Sequence, residues 1–204
     1  KVSVKSLSLA LYGYKKVKNH ILQFLEDVEA VGILEEFKLQ ERISRFDYCF
    51  DFKTDNFSIN PKSICAHSNS TRQFIGAQEL ISKNKDIDYV RIGKMPSRQI
   101  VFYNKLKEIG VHNKNFWFDI WEIEKENFEK QIWRIEIRAG KEELNTWNLK
   151  IFSDFEEKAG DVLLHIANSI RYVKPNYKDS NKARWKNKEF WNDLLNALEK
   201  DLFS

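Results

Sequence analysis

Polar and apolar residues alternate most cleanly along residues 43–52. Phe46, Tyr48, Phe50 and Phe52 fall on one face of an extended chain, and Arg45, Asp47, Cys49 and Asp51 on the other. The same period returns at residues 132–138, where Trp133, Ile135 and Ile137 oppose Arg134, Glu136 and Arg138. Residues 88–93 and 98–105 are strand-like and flank Lys94-Met95-Pro96-Ser97, a hairpin with a loop of a few residues. Residues 3–11 also alternate, with Leu7, Leu9 and Leu11 against Ser6 and Ser8, which predicts a half-buried strand. The aromatic run at residues 116–122 is β-prone, and its rings are expected in the core.

Helical spacing takes over elsewhere. Over residues 14–31 the apolar stripe is Val17, Ile21, Phe24, Leu25 and Val28, and Gly32 is the expected stop. Pro61 predicts a short helix running into residues 62–67. Residues 71–86 read poorly; 73–81 fits either a strand or a helix. Beyond Gly140 the pattern is helical. Ser153 and Glu156 have capping-box spacing, opening a helix that runs to about Tyr172 with Pro175 beyond it. A last helix spans 188–202, with Phe190, Trp191, Leu194, Leu195 and Leu198 on one stripe. Strands in the middle and helices at the end predict an α+β fold: a central antiparallel sheet with helices on one face. Residues 1–204 read as a single domain, with strands over 45–138 and a helical part over 140–204; no repeat interrupts it.

Composition narrows the class. A chain of 204 residues can bury a full core without staples. The net charge of +4 does not by itself demand a polyanion. Cys49 and Cys65 lack metal-knuckle spacing and suit a reducing compartment, so a cytoplasmic protein is expected. No apolar run approaches the ~18 residues of a membrane span, and the start has no signal-peptide core. The first residue is Lys, not Met, which leaves room for an upstream element.

The chemistry lies on the polar faces. Asp47 and Asp51 point the same way, Glu136 lies between Arg134 and Arg138, and Tyr103 is expected to share a face with Gln99 and Lys105. If these strands are neighbours, one open face carries carboxylates for Mg²⁺ or Mn²⁺, guanidiniums and an ammonium for phosphate, and a phenol able to attack a phosphodiester. A cation such as the metal or Lys105 would favour the phenolate. The plain alternative is a solvated face of an antiparallel sheet, its acids paired with Arg45, Arg134 or Arg138.

Four blocks carry a further signal: Arg45-Phe46-Asp47-Tyr48-Cys49-Phe50-Asp51-Phe52, Tyr89-Val90-Arg91-Ile92-Gly93-Lys94, Ile100-Val101-Phe102-Tyr103-Asn104-Lys105, and Trp133-Arg134-Ile135-Glu136-Ile137-Arg138. In that order they resemble the Rep_trans family, plasmid rolling-circle replication initiation factors and related conjugative relaxases. The resemblance covers about residues 45–138. It implies a sheet-based nicking domain acting on a single-stranded or cruciform origin or transfer site. In it Tyr103 would be the nucleophile, Asp47 and Glu136 metal ligands with Asp51 a third candidate, and Lys105 and Arg134 phosphate contacts. Asn104 departs from the family, which usually has an acid there.

A second basic region, residues 171–188, interleaves Lys182, Arg184 and Lys186 with Tyr172, Tyr177 and Trp185, as backbone tracking with base stacking requires. The alternative there is a solvated loop with Trp185 plugged into the core. Lys94 and Arg98 flank the hairpin loop and, with Arg45 and Arg138, are further candidates for nucleic-acid contact. Three readings stay open: a tyrosine nickase and strand transferase, as a monomer or a homodimer; a DNA-binding protein of a mobile element without catalysis; and a metal nuclease using water.

Overall fold

The computed structural model describes residues 2–28, 42–66, 79–83 and 86–203. The expected stop at Gly32 and the segment 67–78 lie outside them. The chain divides into two compact units, Lys1–Glu41 with His112–Phe128, and Arg42–Val111 with Glu129–Ser204, where the sequence reads as one domain.

In chain order the elements are α1 (Ser6–Val28), β1 (Arg45–Thr54), β2 (Ile64–Ala66), β3 (Glu79–Lys83), β4 (Asp86–Gly93), β5 (Arg98–Asn104), α2 (Lys105–His112), α3 (Phe116–Ile120), β6 (Gln131–Gly140), α4 (Lys141–Thr146), α5 (Phe152–Ser169), β7 (Ile170–Tyr172) and α6 (Glu189–Phe203). The fold is α+β. Five strands form an antiparallel sheet in the order β1-β6-β5-β4-β3, and β2 pairs with β7 in a small second sheet.

One face of the large sheet is the core. Val90 and Ile92 of β4, Ile100 and Phe102 of β5, and Trp133, Ile135 and Ile137 of β6 are buried there. Val162, Leu163 and Ile166 of α5 and Trp191, Leu194 and Leu198 of α6 join the same cluster. Each such side chain contributes about 1.5–3 kcal/mol by leaving water. Phe52 stacks on Phe190 at 4.7 Å, and Phe102 lies 5.7 Å from Tyr172, which brings the small sheet onto this same side.

The hairpin, β1, β6 and the last helix form close to where the periodicity puts them. Four expectations do not hold. Residues 6–11 belong to α1, which is interrupted at Gly13 (φ 74°), rather than to a strand. Leu7 and Leu11 are four apart, a helical spacing as good as the alternation, and Leu7, Leu9 and Leu11 stay 37%, 38% and 56% exposed. Residues 116–120 are helical; Trp117 and Trp121, four apart, meet at 5.5 Å. After Pro61 a single 3-10 turn, Pro61–Ser63, leads into β2 in place of a helix. The helix expected to reach Tyr172 ends at Ser169, and residues 170–172 pair with β2.

Its start differs too. Asp154, not the Ser153/Glu156 pair, caps it, accepting from the backbone N–H groups of Lys150 (3.0 Å) and Ile151 (3.2 Å). These bonds hold the Asp154 carboxyl below the usual range. Among the described residues, no helix is long and apolar enough to cross a membrane.

Candidate functional site

Register alone assembles the polar face. Residues directly opposite in an antiparallel ladder share a face. Asp47, Cys49 and Asp51 of β1 stand opposite Arg138, Glu136 and Arg134 of β6. Those in turn stand opposite Gln99, Val101 and Tyr103 of β5, and Val101 and Tyr103 stand opposite Arg91 and Tyr89 of β4. Four strands thus bring two phenols, three carboxylates and several guanidiniums to the side of the sheet away from the core.

Tyr103 donates its hydroxyl hydrogen bond to Glu136 Oε1 at 2.7 Å. Arg138 holds the other oxygen, Oε2, from Nε at 3.0 Å and from its terminal nitrogen. Arg138 also donates to Gln99 at 2.9 Å, and its Nε lies 3.8 Å from Asp47 Oδ2. Arg45 takes both oxygens of Asp47, at 2.8 and 2.5 Å. Arg134, its side chain 3% exposed, grips Asp51 with two bonds of 2.6 Å.

These contacts set the proton affinities. Burial, the Glu136 charge and its hydrogen bond push the Tyr103 phenol well above its ordinary value, with Arg134 working the other way. For Glu136, burial favours the neutral acid, but Arg138, the Tyr103 hydrogen bond and Arg134 outweigh it and hold the carboxyl below its ordinary value. The site as it stands is a neutral phenol bonded to an ionised carboxylate.

Lys105 is not on the strand with Tyr103. β5 ends at Asn104, and Lys105 opens α2 with its ammonium buried and bonded to Glu108 at 2.5 Å. It remains 5.7 Å from the centre of the Tyr103 ring. Asn104 caps the helix that follows it. Its Oδ1 accepts from the Lys107 backbone N–H at 3.0 Å, a capping role that Asn fills as well as Asp.

The remaining candidates lie elsewhere. Arg98 is on the core side of β5, bonded to His165 at 3.0 Å and 3.6 Å from Glu143. Lys94 is exposed on the loop before it. Lys182, Arg184 and Lys186 are exposed in a segment anchored to β7, on the core side of the large sheet. Trp185 there is buried with Cys65 and Val173, and Arg184 pairs with Asp179 at 2.8 Å. Tyr177 stays 75% exposed.

Tyr89 and Arg91 were not among the candidates, although the alternation of β4 aims them at the same face. The Tyr89 and Tyr103 rings lie 6.4 Å apart.

The expected Mg²⁺ or Mn²⁺ does not fit these side chains as they are arranged. All six oxygens of Asp47, Asp51 and Glu136 already accept from an arginine or from Tyr103. Among the described residues, no group of three His, Cys, Asp or Glu side chains is placed to share an ion.

No family model and no curated protein matches the chain. Among solved structures it is similar to a rolling circle replication initiator protein from Geobacillus stearothermophilus, with a TM-score of 0.39 and 14% identity. The match covers 78% of this chain and 57% of that one. Similarity of this degree assigns neither a residue nor a reaction.

Proposed function

We propose that this chain is a DNA nicking and strand-transfer protein of the replication-initiator type, with Tyr103 as its nucleophile. One observation carries the reading: the Tyr103 hydroxyl lies 2.7 Å from Glu136, on a face it shares with Arg134 and Arg138. The order of the four sequence blocks supports it independently.

The chemistry follows from that geometry. The phenol is held neutral, so its proton leaves as the new bond forms, not before, and Glu136 is the acceptor already in place. The Tyr103 oxygen bonds to phosphorus as its proton passes to Glu136, the bond from phosphorus to the 3′ oxygen breaks, and that 3′ oxygen takes its proton from water. The strand is left joined through its 5′ phosphate to Tyr103, and reversal with a second 3′ hydroxyl completes transfer. Arg134 and Arg138 supply positive charge where the non-bridging oxygens gain negative charge. Lys94, Lys182 and Lys186, exposed on loops, serve as phosphate contacts away from the reacting group, with Arg98 and Arg184 as weaker candidates.

To test it, the protein is incubated with single-stranded DNA libraries, with Mn²⁺ and separately with chelator, and resolved on denaturing gels. A covalent adduct is expected, and Tyr103→Phe is expected to abolish it. An adduct of equal yield from Tyr103→Phe removes Tyr103 as nucleophile.

A second reading, DNA binding without catalysis, is favoured by the pairing of Asp47, Asp51 and Glu136 with Arg45, Arg134 and Arg138. It predicts binding that weakens steeply with salt and no adduct.

A further inference from the structure

We infer that Arg138 occupies the place a divalent cation would need between Asp47 and Glu136, so that this face meets phosphate with a resident guanidinium and takes up Mg²⁺ or Mn²⁺ only once Arg138 is removed.

A hard dication needs oxygen lone pairs and an excess of negative charge at close range. This face offers no such excess of charge. Asp47, Asp51 and Glu136 are matched by Arg45, Arg134 and Arg138, so the charges balance. Glu136 gives Oε1 to the Tyr103 hydroxyl and Oε2 to Arg138. Asp47 gives both oxygens to Arg45, with Arg138 close behind at 3.8 Å.

Arg138 is the member that bridges. Its cross-strand neighbours are Asp47 on β1 and Gln99 on β5, and its fork reaches along its own strand to Glu136. Gln99 accepts from it at 2.9 Å and adds no charge that an ion could use. Arg45 and Arg134 each serve one carboxylate, and removing either leaves Arg138 between Asp47 and Glu136.

The consequence for catalysis rests on the nicking reading. An incoming phosphate can exchange with Glu136 on the Arg138 fork, a like-for-like swap of anions that frees Glu136 to accept the Tyr103 proton. Adduct formation would then proceed in chelator. The ion test does not depend on that reading, because it uses neither DNA nor turnover.

The protein is titrated with Mn²⁺ alone, and the paramagnetic resonance signal of free Mn²⁺ is followed. Wild type is expected to leave Mn²⁺ free at stoichiometric concentrations. Arg138→Met, which keeps the unbranched stem, is expected to bind one equivalent at least about tenfold more tightly, since a nearby positive charge is gone. Adding Asp47→Asn or Glu136→Gln to that variant should abolish the gain. If Arg138→Met does not fold, Arg138→Gln is read the same way. Two results overturn the inference: one equivalent bound by wild type and lost in Glu136→Gln, or folded Arg138 variants that gain no ion. If neither variant folds, the comparison of wild type with Glu136→Gln decides. Failure of the adduct assay with this pattern intact would sink the nicking reading alone.

Discussion

Replacing Asp51 by Ala should destabilise the protein more than any other single change on the polar face. Arg134 is 3% exposed in its side chain, and Asp51, at 20%, supplies both acceptors at 2.6 Å. Truncation removes both Asp51 acceptors from a guanidinium that water reaches poorly. Breaking one side of such a buried pair costs about 3–5 kcal/mol. For a chain of 204 residues each kcal/mol lowers Tm by roughly 2–4 °C, so a fall of about 6–20 °C is expected.

The contrast is Lys130 with Asp55, 3.3 Å apart but 55% and 85% exposed, where Asp55→Ala should cost under about 1 kcal/mol. Urea denaturation followed by tryptophan fluorescence measures both, and a shifted midpoint at unchanged slope reports stability alone. The pair Asp51→Leu with Arg134→Met should recover most of the loss, because the cost lies in the orphaned charge and not in the missing bonds. A loss below about 1 kcal/mol for Asp51→Ala would refute the reasoning, showing that Arg134 finds water or another acceptor.

Two further outcomes follow from the same geometry. Glu136 is held below its ordinary value of 4.5, so its contribution to stability is present above that pH and is lost as pH falls through the lower folded value. Glu136→Gln should flatten that part of an acid stability profile, and an unchanged profile would mean the carboxylate gains nothing from Arg138. Gly140→Ala should cost about 1–3 kcal/mol, because a Cβ there would lie 2.2 Å from the Pro96 carbonyl oxygen and 2.7 Å from its carbon. The loop at residues 94–97 packs on Gly140 through the Ser97 carbonyl at 2.7 Å, and a variant as stable as wild type in urea would show that this loop gives way freely.

Much of the candidate site was legible because strand geometry is local. A period of two dictates that Asp47 shares a face with Asp51, that Arg134, Glu136 and Arg138 share one, and that Tyr103 points away from Phe102, whatever the rest of the chain does. The placement of Arg98 on the core side follows from the same parity. Residues 3–11 and 116–122 were misread because each short run satisfies both periods. The turn from β5 into α2 at Lys105 was missed because Ile100 to Lys105 carries no breaker; the capping side chain of Asn104 marks it.

Strand order and register belong to the tertiary structure alone. Nothing in the amino-acid order states that β6 lies between β1 and β5, yet that placement makes Asp51 the partner of Arg134 and Glu136 the acceptor for Tyr103. Periodicity determines which way a side chain points. Which charge it meets depends on the neighbouring strand, and that is decided by how the buried aromatic and aliphatic faces pack beneath α5 and α6.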